Sequence, residues 1–230
     1  LLFQLTVNVT ACLIVLIGAF MGTESPLTVT QMLWINLIMD TFAAMALASL
    51  PPSESVMHDR HHPPPPLILT RPMYGEILGV GGLFFVLLFF FLLVFKHTDV
   101  DSLSDMLSLN YLQIFAGFGT LAFWTEGHLT AYELTLLFTI FVMTHFFYLF
   151  NARAFETGRS ALHFGGCKGL LTIVAIIFVG QVLMVETPIL QNFFNVVSLS
   201  LQDWIAIIIG SSLVLWVREA WHLATARQLK

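Results

Sequence analysis

The chain of 230 residues is 57% hydrophobic and only 10% charged, with a net charge of −5 and a mean hydropathy of +0.87. A soluble domain averages about 45–50% apolar and about a quarter charged residues, and 22 Phe against nine Lys plus Arg cannot line a water-soluble surface. Disorder, a nucleic-acid-binding domain and a secreted disulfide scaffold are excluded by the same figures, which describe a polytopic membrane protein.

A membrane-crossing helix takes about 17–25 mostly apolar residues. Six segments meet that length, at about 1–22, 29–50, 76–96, 132–150, 168–186 and 203–223. They predict an all-α membrane protein, a six-transmembrane-helix bundle forming one domain over residues 1–230. The chain starts at Leu1 inside an apolar run without an initiator Met, and so reads as a portion of a larger protein.

The first segment carries Asn8 midway along it. Two readings stand for that amide, an ion ligand or an interhelical hydrogen bond. The second segment holds Trp34-Ile35-Asn36-Leu37-Ile38-Met39-Asp40, an amide and a carboxylate inside an apolar run. A spacing of four places Asn36 and Asp40 on one face of an α-helix. A carboxylate at the bilayer centre costs about 2.5–3.5 kcal/mol on insertion scales, so it faces a partner, a cavity or an ion. A protonated Asp40 bonded to a neighbouring helix is the alternative.

The connection 51–75 contains His58-Asp59-Arg60-His61-His62, read as solvated loop rather than a metal cluster, and the run His61-His62-Pro63-Pro64-Pro65-Pro66, read as extended chain. Gly75, Gly79 and Gly82 predict close packing of the third helix on a neighbour. Residues 111–124 are apolar but too short to cross, so they are expected to be interfacial or re-entrant. In the fourth span His145 is expected to hydrogen-bond between helices, and Gln181 in the fifth to do the same. Trp34, Trp204, Trp216 and Trp221 read as packing and interface residues. Cys12 and Cys167 lie in or beside apolar stretches and say little about redox compartment.

Charge orients the bundle. With six spans, Arg60, Arg71, Arg153, Arg159, Lys168, Arg218, Arg227 and Lys230 share one side and Lys96 alone takes the other. The positive-inside rule then places 51–75, 151–167 and the C-terminus in the cytoplasm. Glu24, Asp99, Asp101, Asp105, Glu126, Glu133, Glu186 and Asp203 collect outside, where they are expected to attract cations.

Carboxylate and amide oxygens form a hard ligand set, suited to Ca²⁺, Mg²⁺ or Mn²⁺. Calcium takes about six to eight oxygens, more than this one helix offers. At these residues a family resemblance emerges. Leu5-Thr6-Val7-Asn8-Val9, Ser25-Pro26-Leu27 and the run from Gln31 to Ala43 resemble P-type calcium-transporting ATPases, of the plasma-membrane type. Pro51-Pro52 and Asn151-Ala152-Arg153 match the same pattern.

The resemblance implies that the six spans are the family's fifth to tenth membrane helices. It implies Asn36 and Asp40 as calcium ligands with Asn8 beside them, and plasma-membrane localisation. It also implies further ligands on a helix outside this chain, and partner N-terminal helices and cytoplasmic domains that use ATP and Mg²⁺. An Asp-Lys-Thr-Gly-Thr phosphorylation motif does not occur here. Family members that bind two ions use a Glu three residues after the Asn matched by Asn8. That position is Ala11, and Met39 replaces a Thr, so one calcium per cycle is expected. His145 stands near an expected carboxylate and is likewise a poor calcium ligand. The competing reading is a secondary cation transporter or channel core, which calls for a complete site within the chain and repeated halves; no repeat is visible. A non-transporting scaffold leaves Asp40 an unexplained cost.

Overall fold

The computed structural model describes residues 1–23, 25–48, 69–155, 160–162 and 168–228, and for 38–40, 221–222 and 225–228 the backbone alone. The His58–His62 cluster and the proline run therefore lie outside the described residues, as do Glu24 and Cys167.

In chain order the elements are α1 (Leu2–Phe20), α2 (Val29–Trp34), a π-helical stretch (Ile35–Phe42), α3 (Ala43–Ala48), α4 (Arg71–His97), α5 (Tyr111–Ile114), α6 (Leu121–Thr125), α7 (Ala131–Arg153), α8 (Lys168–Glu186), α9 (Pro188–Phe194) and α10 (Leu201–Gln228). Among the described residues there is no strand. Five helices are long and apolar enough to cross a membrane: α1, α4, α7, α8 and Leu201–Ala220 of α10. The remaining expected span, the second, is helical over residues 29–48 but is built from three pieces rather than one α-helix.

Local chemistry sets the ends. α1 stops at Gly22, whose φ of +63° is a left-handed turn that a side chain resists. The Gly22 amide donates to the Ala19 carbonyl and the Thr23 amide to the Gly18 carbonyl, a Schellman cap. α4 starts earlier than the predicted residue 76. Thr70 accepts from the Met73 amide, Pro72 fits the first turn, and the helix therefore reaches past the polar Glu76 to Arg71.

α7 is the central helix. Its most apolar window is 89% buried, against 28–44% for the other four crossing helices. Its apolar residues run all round the cylinder, as a fully surrounded helix requires. α10, α4, α1 and α8 all pack on it.

The tightest seam joins α1 to α4, and it corrects one expectation. A Cβ added at Gly75, Gly79 or Gly82 meets nothing within 4 Å. The close approach is at Gly81, where a Cβ falls 3.4 Å from Val9 and 3.5 Å from the Thr6 carbonyl. The Thr10 hydroxyl proton is shared between the Thr6 carbonyl of its own helix (2.9 Å) and the Gly81 carbonyl across the seam (3.2 Å). Lipid supplies no hydrophobic drive between helices, so such close backbone contact and polar bridging hold the pair. Gly81→Leu is expected to destabilise the protein by about 1–3 kcal/mol through overpacking, while Gly79→Leu leaves its thermal melt in detergent unchanged. Equal melts for the two variants would remove the seam from Gly81.

The acid-rich end of the bundle is knitted rather than open. Asp203 accepts from the Ser102 hydroxyl (3.2 Å), the Leu103 amide (3.0 Å), the Tyr132 hydroxyl (2.6 Å) and the Ser200 amide (3.1 Å) and hydroxyl. Glu133 accepts from the Thr130 amide (2.7 Å) and the Val100 amide (3.0 Å). Glu186 accepts from the Trp204 indole (2.7 Å) and the Leu199 amide (3.2 Å). Three of the acids expected to attract cations are thus spent on loop and helix-start donors. Lys96 is buried as well, donating its ammonium protons to the Met21 and Trp124 carbonyls. Among the described residues no other Lys or Arg lies at this end, and Lys96 serves as a strap between loops. At the opposite end Arg218 of α10 pairs with Glu76 of α4 at 3.2 Å.

Candidate functional site

Asn36 and Asp40 both fall on the π-helical stretch Ile35–Phe42. Here the backbone pairs i with i+5, an uncommon winding that frequently occurs at functional positions. The expected 3.6 residues per turn gives way here to a wider local pattern. Asn36, Asp40 and Thr41 are short polar residues that compete with helical hydrogen bonds. That cluster was the available signal. The absence of Gly or Pro hid it, because those residues are the usual punctuation.

Two anchors flank the stretch. On α2 the buried Gln31 donates its amide to the Phe194 carbonyl at the end of α9 (3.1 Å), and its side-chain oxygen accepts from the Thr28 amide. Trp34, one residue before the π winding, donates its indole N–H to Gln181 Oε1 of α8 at 2.9 Å. The indole edge lies on Gly180, where a Cβ falls 3.3 Å from the ring, and packs edge-on to Phe194 at 5.5 Å. Gln181 thus makes the interhelical bond expected of it. On the far side Ala43 and Ala46 of α3 are fully buried, and α3 packs on α8. Trp34, expected as a packing or interface residue, makes a specific side-chain bond as well.

Between these anchors Ile35 is buried and Asn36, Leu37 and Thr41 are exposed. The Asp40 backbone belongs to the π stretch, while its side chain lies outside the described residues. Asn8 is half-buried on α1 and takes part in a contact there. Ala11, one helical turn further, is buried and offers no oxygen. Among the described residues no group of three or more His, Cys, Asp or Glu side chains converges as a metal cage.

His145 departs from its expected interhelical bond. Its Nδ1–H donates to the Phe141 carbonyl of its own helix at 2.8 Å. The ring is wholly buried between Phe141 (centroids 4.3 Å apart) and Phe84 (5.0 Å), and Nε2 has no hydrogen-bond partner. The link from α7 to α1 is made by Tyr148 instead. Thr6 gives its proton to the Leu2 carbonyl and receives that of the Tyr148 hydroxyl at 3.4 Å, beneath stacked Phe3 and Tyr148 rings.

Residues 24–224 match the family model described as cation transporting ATPase, C-terminus. The chain is 34% identical over 225 residues to plasma membrane calcium-transporting ATPase 4 of Homo sapiens, covering 93% of this chain and 16% of that protein. It is 33% identical over 231 residues to plasma membrane calcium-transporting ATPase 1 of Oryctolagus cuniculus, covering 98% of this chain and 17% of that one. The Gallus gallus counterpart is 32% identical over 233 residues. The chain spans about one sixth of the length of the curated relatives it matches. With five apolar crossing helices and a π-wound sixth segment bearing the Asn36–Asp40 pair, the chain belongs to the cation-transporting ATPase C-terminus family.

Proposed function

We propose that this chain is the C-terminal membrane part of an ATP-driven calcium pump, with Ca²⁺ as its cargo. The observation that carries the reading is the π-helical stretch holding Asn36 and Asp40 between two anchored ends. Asp40 supplies charge and up to two oxygens to the ion, Asn36 a neutral oxygen, and Asn8 a further oxygen from α1. Calcium's preference for about six to eight oxygens calls for more ligands than these. They come from the N-terminal membrane helices of the same pump, while its cytoplasmic domains use ATP and Mg²⁺; this segment alone does not hydrolyse ATP.

Mechanistically, the anchors at Trp34 and Gln31 and the packing of Ala43 and Ala46 hold the two ends still. Changes in winding between them alter how Asn36 and Asp40 present their oxygens, which gives the site a tight and a loose arrangement. Packing of α1 on α4 and α7 couples movement of α1 to the bundle.

The protein sits in the plasma membrane with the Arg153 and Arg218 end and the C-terminus in the cytoplasm, following the basic residues. Cysteines at Ser160 and Ser104 of the full-length pump are expected to react with an impermeant reagent from opposite sides, Ser160 from the cytoplasm. Labelling of both from one side would overturn this orientation.

One calcium moves per cycle. The position three residues after Asn8 is Ala11, without a side-chain oxygen, and Met39 offers a soft thioether. His145 is enclosed by aromatic rings with Nδ1 tied to Phe141, an imidazole where a hard cation needs oxygen. Equilibrium binding of radioactive calcium to the purified full-length pump is expected to give a stoichiometry near one per phosphorylation site. A value near two would refute the single-site reading.

A further inference from the structure

Residues 106–125 carry no charge, although they belong to the connection between α4 and α7 at the acid-rich end. They fold into α5, a short 3₁₀ turn at Phe115–Gly117 and α6, none of them long enough to cross a bilayer. The informative feature is how far down α4 they pack. Tyr111 and Phe115 set their rings against Phe90, with centroids 6.0 and 6.2 Å apart. Trp124 stacks on Phe89 at 6.4 Å, and Phe123 stacks on His97 at 4.3 Å.

The depth follows from helix geometry. The uncharged run of α4 covers residues 77–95. At 1.5 Å per residue it spans about 28 Å, close to the hydrocarbon thickness of about 30 Å. Phe90 lies five residues inside its end, about 7 Å deep. The segment therefore returns alongside α4 below the membrane surface.

Its outward side is apolar and uncovered: Leu112 is 86% exposed, Leu121 78% and Phe118 51%. On α4, Leu83, Val86 and Leu87 are also exposed, and by helical spacing they share the side of Phe90 on which Tyr111 and Phe115 pack. Four of the segment's side chains hydrogen-bond to backbone carbonyls of the segment or its flanks, while Asn110 and Gln113 are exposed. The Trp124 indole donates to the Phe118 carbonyl (3.1 Å), Thr120 to Gly117 (2.7 Å), Thr125 to Leu121 (3.1 Å) and Tyr111 to Met106 (2.6 Å). Side chains closed on backbone carbonyls in this way lower the cost of placing an irregular chain in a low-dielectric surrounding.

We propose that residues 107–124 form a re-entrant wedge seated in the acyl-chain edge of the leaflet at the His97 end of α4, with Leu112, Phe118 and Leu121 against lipid. The partner is hydrocarbon rather than a headgroup, since the segment offers no charge to bind one. Burial of about 5–10 Å at the headgroup–acyl boundary is the usual depth for such apolar faces.

The test uses the full-length pump in phosphatidylcholine vesicles, with other reactive cysteines replaced and a nitroxide attached to L112C, L121C or S104C. Leu112, Leu121 and Ser104 are all exposed, so the label displaces no packed neighbour. Power saturation should show high oxygen and low nickel-chelate collision at 112 and 121, and the reverse at 104. Nickel access at 112 and 121 equal to that at 104 would place the segment in water and overturn the proposal. Low access to both reagents would mean that protein covers it, which overturns the lipid assignment equally.

Discussion

Asp40→Asn in the full-length pump is expected to abolish calcium-dependent phosphorylation by ATP while leaving the protein inserted and folded. The replacement keeps the shape of the side chain and one oxygen but removes a full negative charge. In a low-dielectric site two opposite charges attract far more strongly than in water, and a divalent cation doubles the effect. Calcium also depends on anionic oxygens to offset the loss of its hydration shell, which a second amide beside Asn36 cannot do. The backbone of residue 40 lies within the π stretch, between ends held by the Gln31, Trp34 and Ala43 contacts. Asn at this position is therefore expected to leave the winding in place. Phosphoenzyme formation as a function of free calcium, with membrane insertion checked by the Ser104 and Ser160 labels, is the measurement. Near-normal calcium dependence would remove Asp40 from the ligand set.

A second large effect is expected for stability rather than transport. Asp203 is 1% exposed and binds Ser102, Leu103, Tyr132 and Ser200, tying the 97–110 connection, the start of α7 and the start of α10 into one node. Asp203→Ala strands all of these donors at once. Hydrogen bonds to a charged group are worth about 1.5–3 kcal/mol each and are not additive within a network. A loss of about 3–5 kcal/mol is therefore expected, comparable to breaking one partner out of a buried ion pair. Tyr132→Phe, which removes only one donor, should cost about 1–2 kcal/mol. Thermal unfolding of the purified protein in detergent ranks the two, and an Asp203→Ala melt no lower than that of Tyr132→Phe would disprove the node.

The sequence by itself was enough for the membrane class, the five long crossing helices and the polar pair in the second segment. Each of these depends on a short stretch of chain meeting a bilayer about 30 Å thick, a constraint that acts residue by residue. The end of the first span at Gly22 is likewise local chemistry. The start of α4 at Thr70 instead lies ahead of the residue 76 that hydropathy indicated, because the Thr70 cap and Pro72 extend the helix past Glu76. The Asn36–Asp40 pair stood out because a carboxylate in an apolar run is costly wherever it faces.

Tertiary structure decided the facing of the helices. In a soluble helix, polar residues mark the outside, so hydropathy carries phase. In lipid both the packed and the outward faces are apolar, and that phase disappears. Gly75, Gly79 and Gly82 therefore looked as suitable for a helix seam as Gly81, and only the approach of Thr6 and Thr10 distinguishes them. Glu133, Glu186 and Asp203 read as a solvent-facing acid cluster until the loop amides and hydroxyls they accept from are brought round to them by the folded connections. The π winding at Asn36 and Asp40 belongs in part to the same class. The polar cluster Asn36, Asp40 and Thr41 is a local signal for it, while the residues before it bond α8 and α9, more than a hundred residues away in the chain.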